Sequence, residues 1–407
     1  MHLDRITSDL PADVPLVTVV MDATRESETG NQAVLTRWKD LRRTLDGQID
    51  DTTLEALGER VRTISNAAGK HGRVLVGARG EVLLDCVLGA PPAADEAVVG
   101  LNAFALARTA DEHVRYLLAA VDRSGTDVTF HISATASTAG DGGESYEGGH
   151  DELSKVNTGG WSHRRYAARA EDSWERNAEA VAGELDRLVA EHRPELLVLT
   201  GDVRARSLVA EELGHASKEL LIPVEGGSRS AGAKPEAFQA HLAEILQQFR
   251  LRRRERVLDT FREVRGQDGA VVTGRDGVLD VLRRGQVAEL IITESVAGPP
   301  SALRDSTLWA GDEPLQIGAH VDVVEMGASA PHEVRADLAL GRAALAQGAG
   351  ITVVDDAAFE QPDGIGALLR WNDAATPDEH AFALSGDPHR EGRSRVGRTQ
   401  DIDTPRR

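Results

Sequence analysis

A single cysteine in 407 residues excludes a disulfide framework within the chain and any metal site built on cysteines. Cys86 lies in the apolar run 81–88 and reads as a buried strand residue rather than a reactive thiol. No apolar run is long enough to span a membrane, and residues 1–6 lack a basic region followed by an apolar core, so a soluble cytoplasmic protein is expected. Cations are also short: 46 Lys and Arg against 66 Asp and Glu give a net charge of −20. That balance argues against bulk, non-specific nucleic-acid binding, so any RNA contact must be local and geometric. Catalytic signatures are missing too. His332-Glu333 has no second histidine at helical spacing, and the Gly-rich stretch 225–233 lacks the Gly-Lys-Ser/Thr ending of a phosphate loop and reads as a strand-to-helix connection. No metal and no cofactor is expected.

What is present is an alternation of apolar runs and helical periods in a chain long enough for two or three domains. In residues 1–110, strands are expected at 16–21 and 72–77 and helices at 32–45 and 53–68. A second unit, 113–248, has strand runs at 114–121 and 126–132 around the turn Asp122-Arg-Ser-Gly125. A Gly- and acid-rich loop at 134–152 follows, then a helix from 162 to about 192 that stops at Pro194. The apolar run 195–202, a helix to 213 and a strand at 219–224 complete a largely parallel α/β order. Helical periodicity over 235–265 carries Arg250, Arg252, Arg253, Arg254 and Arg256, and the next boundary is placed near 250. The third unit, 250–373, has strands at 270–273, 288–293, 350–354 and 365–371 and helices at 276–284 and 333–347. Residues 374–407 lack periodicity and read as a disordered tail.

The segment 156–176 is the most informative. Gly159 and Gly160 free the backbone for close approach, and Trp161, His163, Arg164, Arg165 and Arg169 follow at once, with Lys155 just before. Cations at a helix start oppose the helix dipole, and Arg165 and Arg169 sit four residues apart, where like charges repel. Folding alone gives no reason for this arrangement. A polyanion docking on the tip would: Trp161 stacks on a base while His163 and the arginines meet phosphates. The plain alternative is a loop with a surface-anchored tryptophan.

A Gly-Gly tip ahead of an Arg-rich helix resembles the central domain of the class I release factors of eukaryotes and archaea and their relative Pelota. Residues 270–293 (Ala-Val-Val-Thr-Gly-Arg-Asp-Gly onward) are similar to the start of that family's third domain, and Gly364-Ile-Gly-Ala-Leu-Leu-Arg-Trp371 to its closing strand. The likeness is to the bacterial, actinobacterial branch, similar to the ribosome hibernation factor Balon, and covers about 113–373.

The resemblance implies three α/β domains in series, the third like the ribosomal proteins that bind kink-turns. It implies the ribosome as partner, with rRNA contacted at the aminoacyl-tRNA site, and elongation factor Tu as a candidate for delivery. In release factors the residue after the two glycines is a glutamine that helps position water; here it is Trp161. An indole N–H donates and cannot accept, so it cannot orient a nucleophilic water in that way. Gln267 and Gln286 lie in another domain and offer no substitute. A non-hydrolytic role in hibernation, stress or stalled-ribosome recognition is expected. The other readings are a ribosome-rescue enzyme that cleaves peptidyl-tRNA or tRNA through tip residues such as His163, and an acidic protein-interaction scaffold. The arginine run at 250–256 is open between RNA contact and pairing with acidic surfaces beside it.

Overall fold

The computed structural model describes residues 10–11, 14–25, 30–65, 69–122, 125–133, 142–148, 153–156, 172–227, 235–267 and 269–377. The first sheet is antiparallel, in the order β3-β2-β1-β4, from β1 (Val17–Asp22), β2 (Gly72–Ala78), β3 (Glu81–Leu88) and β4 (Glu96–Val99). Arg79 and Gly80 turn β2 into β3 with φ of 53° and 77°, the left-handed pair that a two-residue hairpin needs. Val17, Val19 and Met21 of β1 face helices α1 (Gly30–Leu45) and α2 (Asp51–Arg62), while Val20 faces the other way with Val74 and Val76. Helix α2 starts where the Asp50 carboxylate accepts the Thr53 N–H at 2.8 Å. It ends at Arg62, earlier than the expected 68, because Thr63 turns extended and its carbonyl accepts an N–H from buried Arg73 at 2.9 Å.

The central sheet has the order β10-β9-β5-β6-β7-β8. Strands β5 (Val114–Asp122), β9 (Leu196–Gly201) and β10 (Leu221–Pro223) are parallel, and β6 (Gly125–Ser133), β7 (Gly142–Gly148) and β8 (Leu153–Val156) extend it antiparallel. Two expectations change here. The sheet is mixed rather than largely parallel, and the stretch 134–152 expected as a loop contains β7. Composition hides that strand because pairing along the exposed backbone of β6 needs no apolar side chain. Helices α4 (Asp172–His192) and α5 (Val203–Glu212) cover one face, and α6 (His215–Leu220) leads into β10.

Helix α7 (Pro235–Gly266) is unbroken across the boundary expected near 250. Its first half packs Phe238, Leu242 and Leu246 on the central sheet. Its second half packs Leu258 and Phe261 on the third sheet, in the order β11-β17-β12-β16, built from β11 (Val271–Thr273), β12 (Val287–Thr293), β16 (Gly350–Val354) and β17 (Ile365–Leu369). Helices α8 (Arg275–Arg283) and α9 (Glu294–Ala297) flank it. A small sheet, β14-β13-β15, adds β13 (Thr307–Ala310), β14 (Ile317–Gly318) and β15 (His332–Arg335), with α10 (His320–Glu325) beside it. The helix expected over 333–347 is therefore β15 followed by α11 (Ala336–Ala346). Residues 333–335 pair with 307–309, and Arg335 is held by Glu96 and Asp337. The start of the expected tail at 374–377 is fastened just past the end of α8: Arg284 pairs with the preceding Asp373, and the Gln286 amide donates to Thr376 Oγ1 at 2.9 Å.

The first and third sheets share one apolar core. Helix α3 (Ala103–Glu112), capped by the Asn102 side chain on the Ala105 N–H, inserts Ala103, Phe104, Leu106 and Ala107 into a cluster with Ile351, Val353, Leu340 and Ala344. Each large side chain buried this way contributes ~1.5–3 kcal/mol. Around it, Arg304 and Arg335 clamp Glu96 of β4 to Asp337 of α11. Among the described residues no helix is long and apolar enough to cross a membrane.

A Cβ added at Gly341 would lie 2.8 Å from Ala103 Cβ. Gly341→Val is therefore expected to cost about 1–3 kcal/mol in chemical denaturation; unchanged stability would mean that α3 and α11 are not pressed together. Cys86 lies on β3 opposite Val74 but is half-buried rather than buried as expected, because β3 is the edge strand of its sheet; partial burial together with Asp85 pushes its thiol up to about 11. It should react with an aromatic disulfide reagent at neutral pH far more slowly in the folded chain than after denaturant is added; equal rates would contradict this placement.

Candidate functional site

In sequence, residues 157–171 connect β8 to α4. Strand β8 is the outermost of the central sheet and ends at Val156; α4 begins at Asp172. Gly159, Gly160, Trp161, His163, Arg164, Arg165 and Arg169 lie outside the described residues, as does the expected helix start over 162–171. Lys155 lies in β8, paired with Tyr146 of β7.

Helix α4 is well anchored. It buries Ala178, Val181, Ala182, Leu185, Leu188 and Val189 against the face of β5, β6 and β9 that carries Leu117, Ala119, Val121, Val128, Leu197 and Leu199. This is the one-sided apolar stripe of an amphipathic helix. Near its end, His192 stacks on Phe130 with ring centroids 4.8 Å apart. The Asp186 carboxylate accepts the Gly214 N–H at 3.0 Å, tying α4 to the start of α6. On the sheet's other face Tyr116 stacks on His131 at 4.5 Å, both buried.

A second feature is an ionic junction. Asp111, near the end of α3, has a side chain only 6% exposed and receives two arginines from α7: Arg254 through Nε on Oδ2, and Arg253 through Nη2 at 3.3 Å from Oδ1. Arg253 also reaches Glu195, at the start of β9, at 2.9 Å. Glu195 in turn accepts the backbone N–H of Arg115 at 3.1 Å. One guanidinium thus joins the end of α3, the middle of α7 and the central sheet. Burial works to lower the Arg254 guanidinium, and the Asp111 carboxylate outweighs it, so the charged form is favoured. Glu112 accepts the Gly89 N–H at 2.6 Å, and burial nonetheless pushes its carboxyl above the ordinary range. Burial pulls neighbouring His113 down, which keeps its ring neutral near pH 7; its Nδ1 lies 2.6 Å from the Thr109 carbonyl.

This junction settles much of the arginine run. Arg253 and Arg254 are spent on Asp111 and Glu195, and Arg250 is half-buried beside Glu112 and Asp111. Arg252 and Arg256 are exposed. The partition follows the helical period: positions 250, 253, 254 and 257 share the inward face, and 252, 255 and 256 do not. Sequence reading missed Asp111 and Glu195, whose only signal was an acid at a helix end and another at a strand start.

Gln286 is fully buried and bound to Thr376, so it offers nothing to a reaction at the tip. His332 and Glu333 lie on β15, and among the described residues no three His, Cys, Asp or Glu side chains are grouped as metal ligands. In the Gly-rich stretch, the Gly227 N–H donates to Thr200 Oγ1 at 3.1 Å; residues 228–234 lie outside the described residues.

Residues 115–267, from β5 to the end of α7, match bacterial archaeo-eukaryotic release factor family 2. Across 391 residues the chain is 29% identical to an uncharacterized protein of Mycobacterium tuberculosis, covering 91% of this chain and 97% of that one. Among solved structures it is similar to Saccharomyces cerevisiae Dom34, described as a translation termination-like factor involved in RNA quality control pathways and interacting with Hbs1; identity is 11%, coverage 72% and 75%, and the TM-score 0.38. It is also similar to Archaeoglobus fulgidus Pelota, at 11% identity, 74% and 84% coverage and a TM-score of 0.34. A model of ribosome-bound archaeal Pelota and ABCE1 gives 12%, 91% and 93%, and 0.37.

Removing the Asp111 carboxylate leaves half-buried Arg254 without its counter-ion and Arg253 with Glu195 alone, which costs about 1–3 kcal/mol. Asp111→Ala is expected to lose that much in urea denaturation, and Arg254→Met in the same background to recover part of it. Stability unchanged by Asp111→Ala would mean that the junction does not hold the units together.

Proposed function

We propose that the chain is a ribosome-associated translation factor of the release-factor and Pelota family that occupies the aminoacyl-tRNA site without hydrolysing peptidyl-tRNA. It holds ribosomes inactive in hibernation or stress, or marks stalled ones, in the cytoplasm. The observation that carries the reading is the run Gly159-Gly160-Trp161 with His163, Arg164, Arg165 and Arg169, inside the segment that matches the release-factor family. On this reading the central unit points its tip toward the peptidyl-transferase centre, and Lys155 and the tip cations meet rRNA phosphates. Delivery by elongation factor Tu, as the resemblance to Balon implies, belongs to the same proposal.

Charge supports a local contact. With a net charge of −20 the surface repels phosphate at large, and Arg253 and Arg254 of the central arginine run are neutralised internally. The tip cations have no such partner in their own sequence neighbourhood until Glu171 and Asp172. Chemistry supports occupancy over release. The Trp161 indole donates one hydrogen bond and accepts none, so it can lodge between bases and cannot hold a water for attack on an ester.

The purified protein should sediment with vacant cognate ribosomes at physiological salt, compete with aminoacyl-tRNA, and release no more peptide than buffer from peptidyl-tRNA complexes. A protein that stays in the supernatant at micromolar concentrations of both partners removes the proposal. Peptide release that disappears in His163→Ala would favour the rescue enzyme. Within the tip, Arg165→Ala should weaken binding and flatten the salt dependence by about one phosphate contact. Trp161→Ala should weaken it by ~1–3 kcal/mol with little change in slope.

A further inference from the structure

The stretch 305–334 folds into β13, β14, α10 and most of β15 and contains Asp305, Asp312, Glu313, Asp322, Glu325 and Glu333 with no lysine or arginine. Helix α10 is pinned from within by Val323, fully buried, and by Asp322, which accepts the Ala319 N–H at 3.1 Å and pairs with Arg283 of α8 at 3.2 Å. Its outer side presents Val321 and Val324, 58% and 48% exposed. Of the large apolar side chains exposed among the described residues, these two alone share one helix, three positions apart. Valine is a poor helix former, so local structure gives no reason for placing two of them in solvent.

The surroundings of the pair are acidic. Glu325 follows on the helix. Glu333 stands opposite Trp309 in the β13–β15 register, and the Trp309 ring contacts His320 of α10 at 4.3 Å. Residues opposite each other across two strands project from the same face, so Glu333 shares the side of the sheet that His320 covers. Asp312 accepts the Ser329 N–H at 2.7 Å just past α10. The bordering cations are engaged: Arg283 with Asp322, and Arg342 with the carbonyls of Gly311 and Asp312. Such a face repels nucleic acid and a second copy of itself, and suits an apolar residue set among cations.

The chain carries one. Residues 390–398, Arg-Glu-Gly-Arg-Ser-Arg-Val-Gly-Arg, hold Arg390, Arg393, Arg395 and Arg398 around Val396, against one acid. The described chain ends nearby. Pro377 lies 4.0 Å from where a Cβ on Gly277 of α8 would sit, and the same helix ends at Arg283, in contact with Asp322 of α10. Six residues of helix separate those points, a rise of ~9 Å. The twelve residues 378–389 can span about 40 Å. We propose that residues 390–398 dock on the α10 face, with Val396 against Val321 and Val324 and the arginines among Glu313, Glu325 and Glu333. Tethering supplies an effective concentration of order millimolar, so a contact that is weak between separate molecules forms within one chain.

The test uses the full-length chain with a benzoyl-phenylalanine photocrosslinker at position 324, and at 321 as a second site, with products mapped by mass spectrometry. The expected product is a crosslink within one chain to residues 390–398. Its yield should be independent of protein concentration and fall about fivefold in 0.5 M salt or in Glu313→Lys/Glu325→Lys, which screen or reverse the attraction. The inference is overturned if neither position crosslinks, if the crosslinks map elsewhere in the chain, or if the yield rises with concentration, which would place a second copy on the face.

Discussion

The arrangement depends on one carboxylate. Asp111 takes Arg253 and Arg254 out of water at the place where α3 leaves the first sheet, α7 passes between two sheets, and β9 begins. Two like-charged guanidiniums next to each other on α7 would repel in a half-buried site without it, and Glu195 accepts from Nη1 of Arg253. The desolvation cost of such a cluster leaves little net gain in stability, but the cost of breaking it is high. Its role is therefore positional. It fixes how the central unit, which carries the tip, sits on the shared core of the first and third units.

That shared core is the second constraint. Phe104 and Leu106 of α3 belong to the same apolar cluster as Ile351 and Leu340, so the first sheet is covered by α1 and α2 on one side and by the third unit on the other. Gly341 permits the closest approach, and the Glu96–Arg304–Asp337–Arg335 cluster closes the rim. The central unit joins this body through α7 and the junction.

Elements with a buried apolar run on both faces were legible in the sequence: β9, β12 and β16 fall where their runs of valine, leucine and isoleucine place them. Helices α1 and α8 followed from period and punctuation. Strand β7 was not legible, because Gly142–Gly148 has the composition of a loop and is held by backbone pairing to β6. Strand β15 was hidden inside a helical period, since Val334 and Arg335 satisfy both patterns until the β13 partner is known. At the candidate site, the arginine run was visible but its partners were not. Asp111 and Glu195 lie 142 and 58 residues from Arg253, and nothing local marks either as its counter-ion. The tip residues remain a reading of sequence chemistry joined to the family match of the segment that contains them.

The central claim is that an acidic protein reaches RNA through one local tip. The most direct measurement is a cryo-EM map of the protein on vacant cognate ribosomes. The account predicts density for residues 157–171 at the peptidyl-transferase centre, with Trp161 stacked on or between bases and Arg164, Arg165 and Arg169 beside phosphates. A map in which the protein is bound with this segment facing solvent, or with RNA contacted chiefly through another unit, would contradict it.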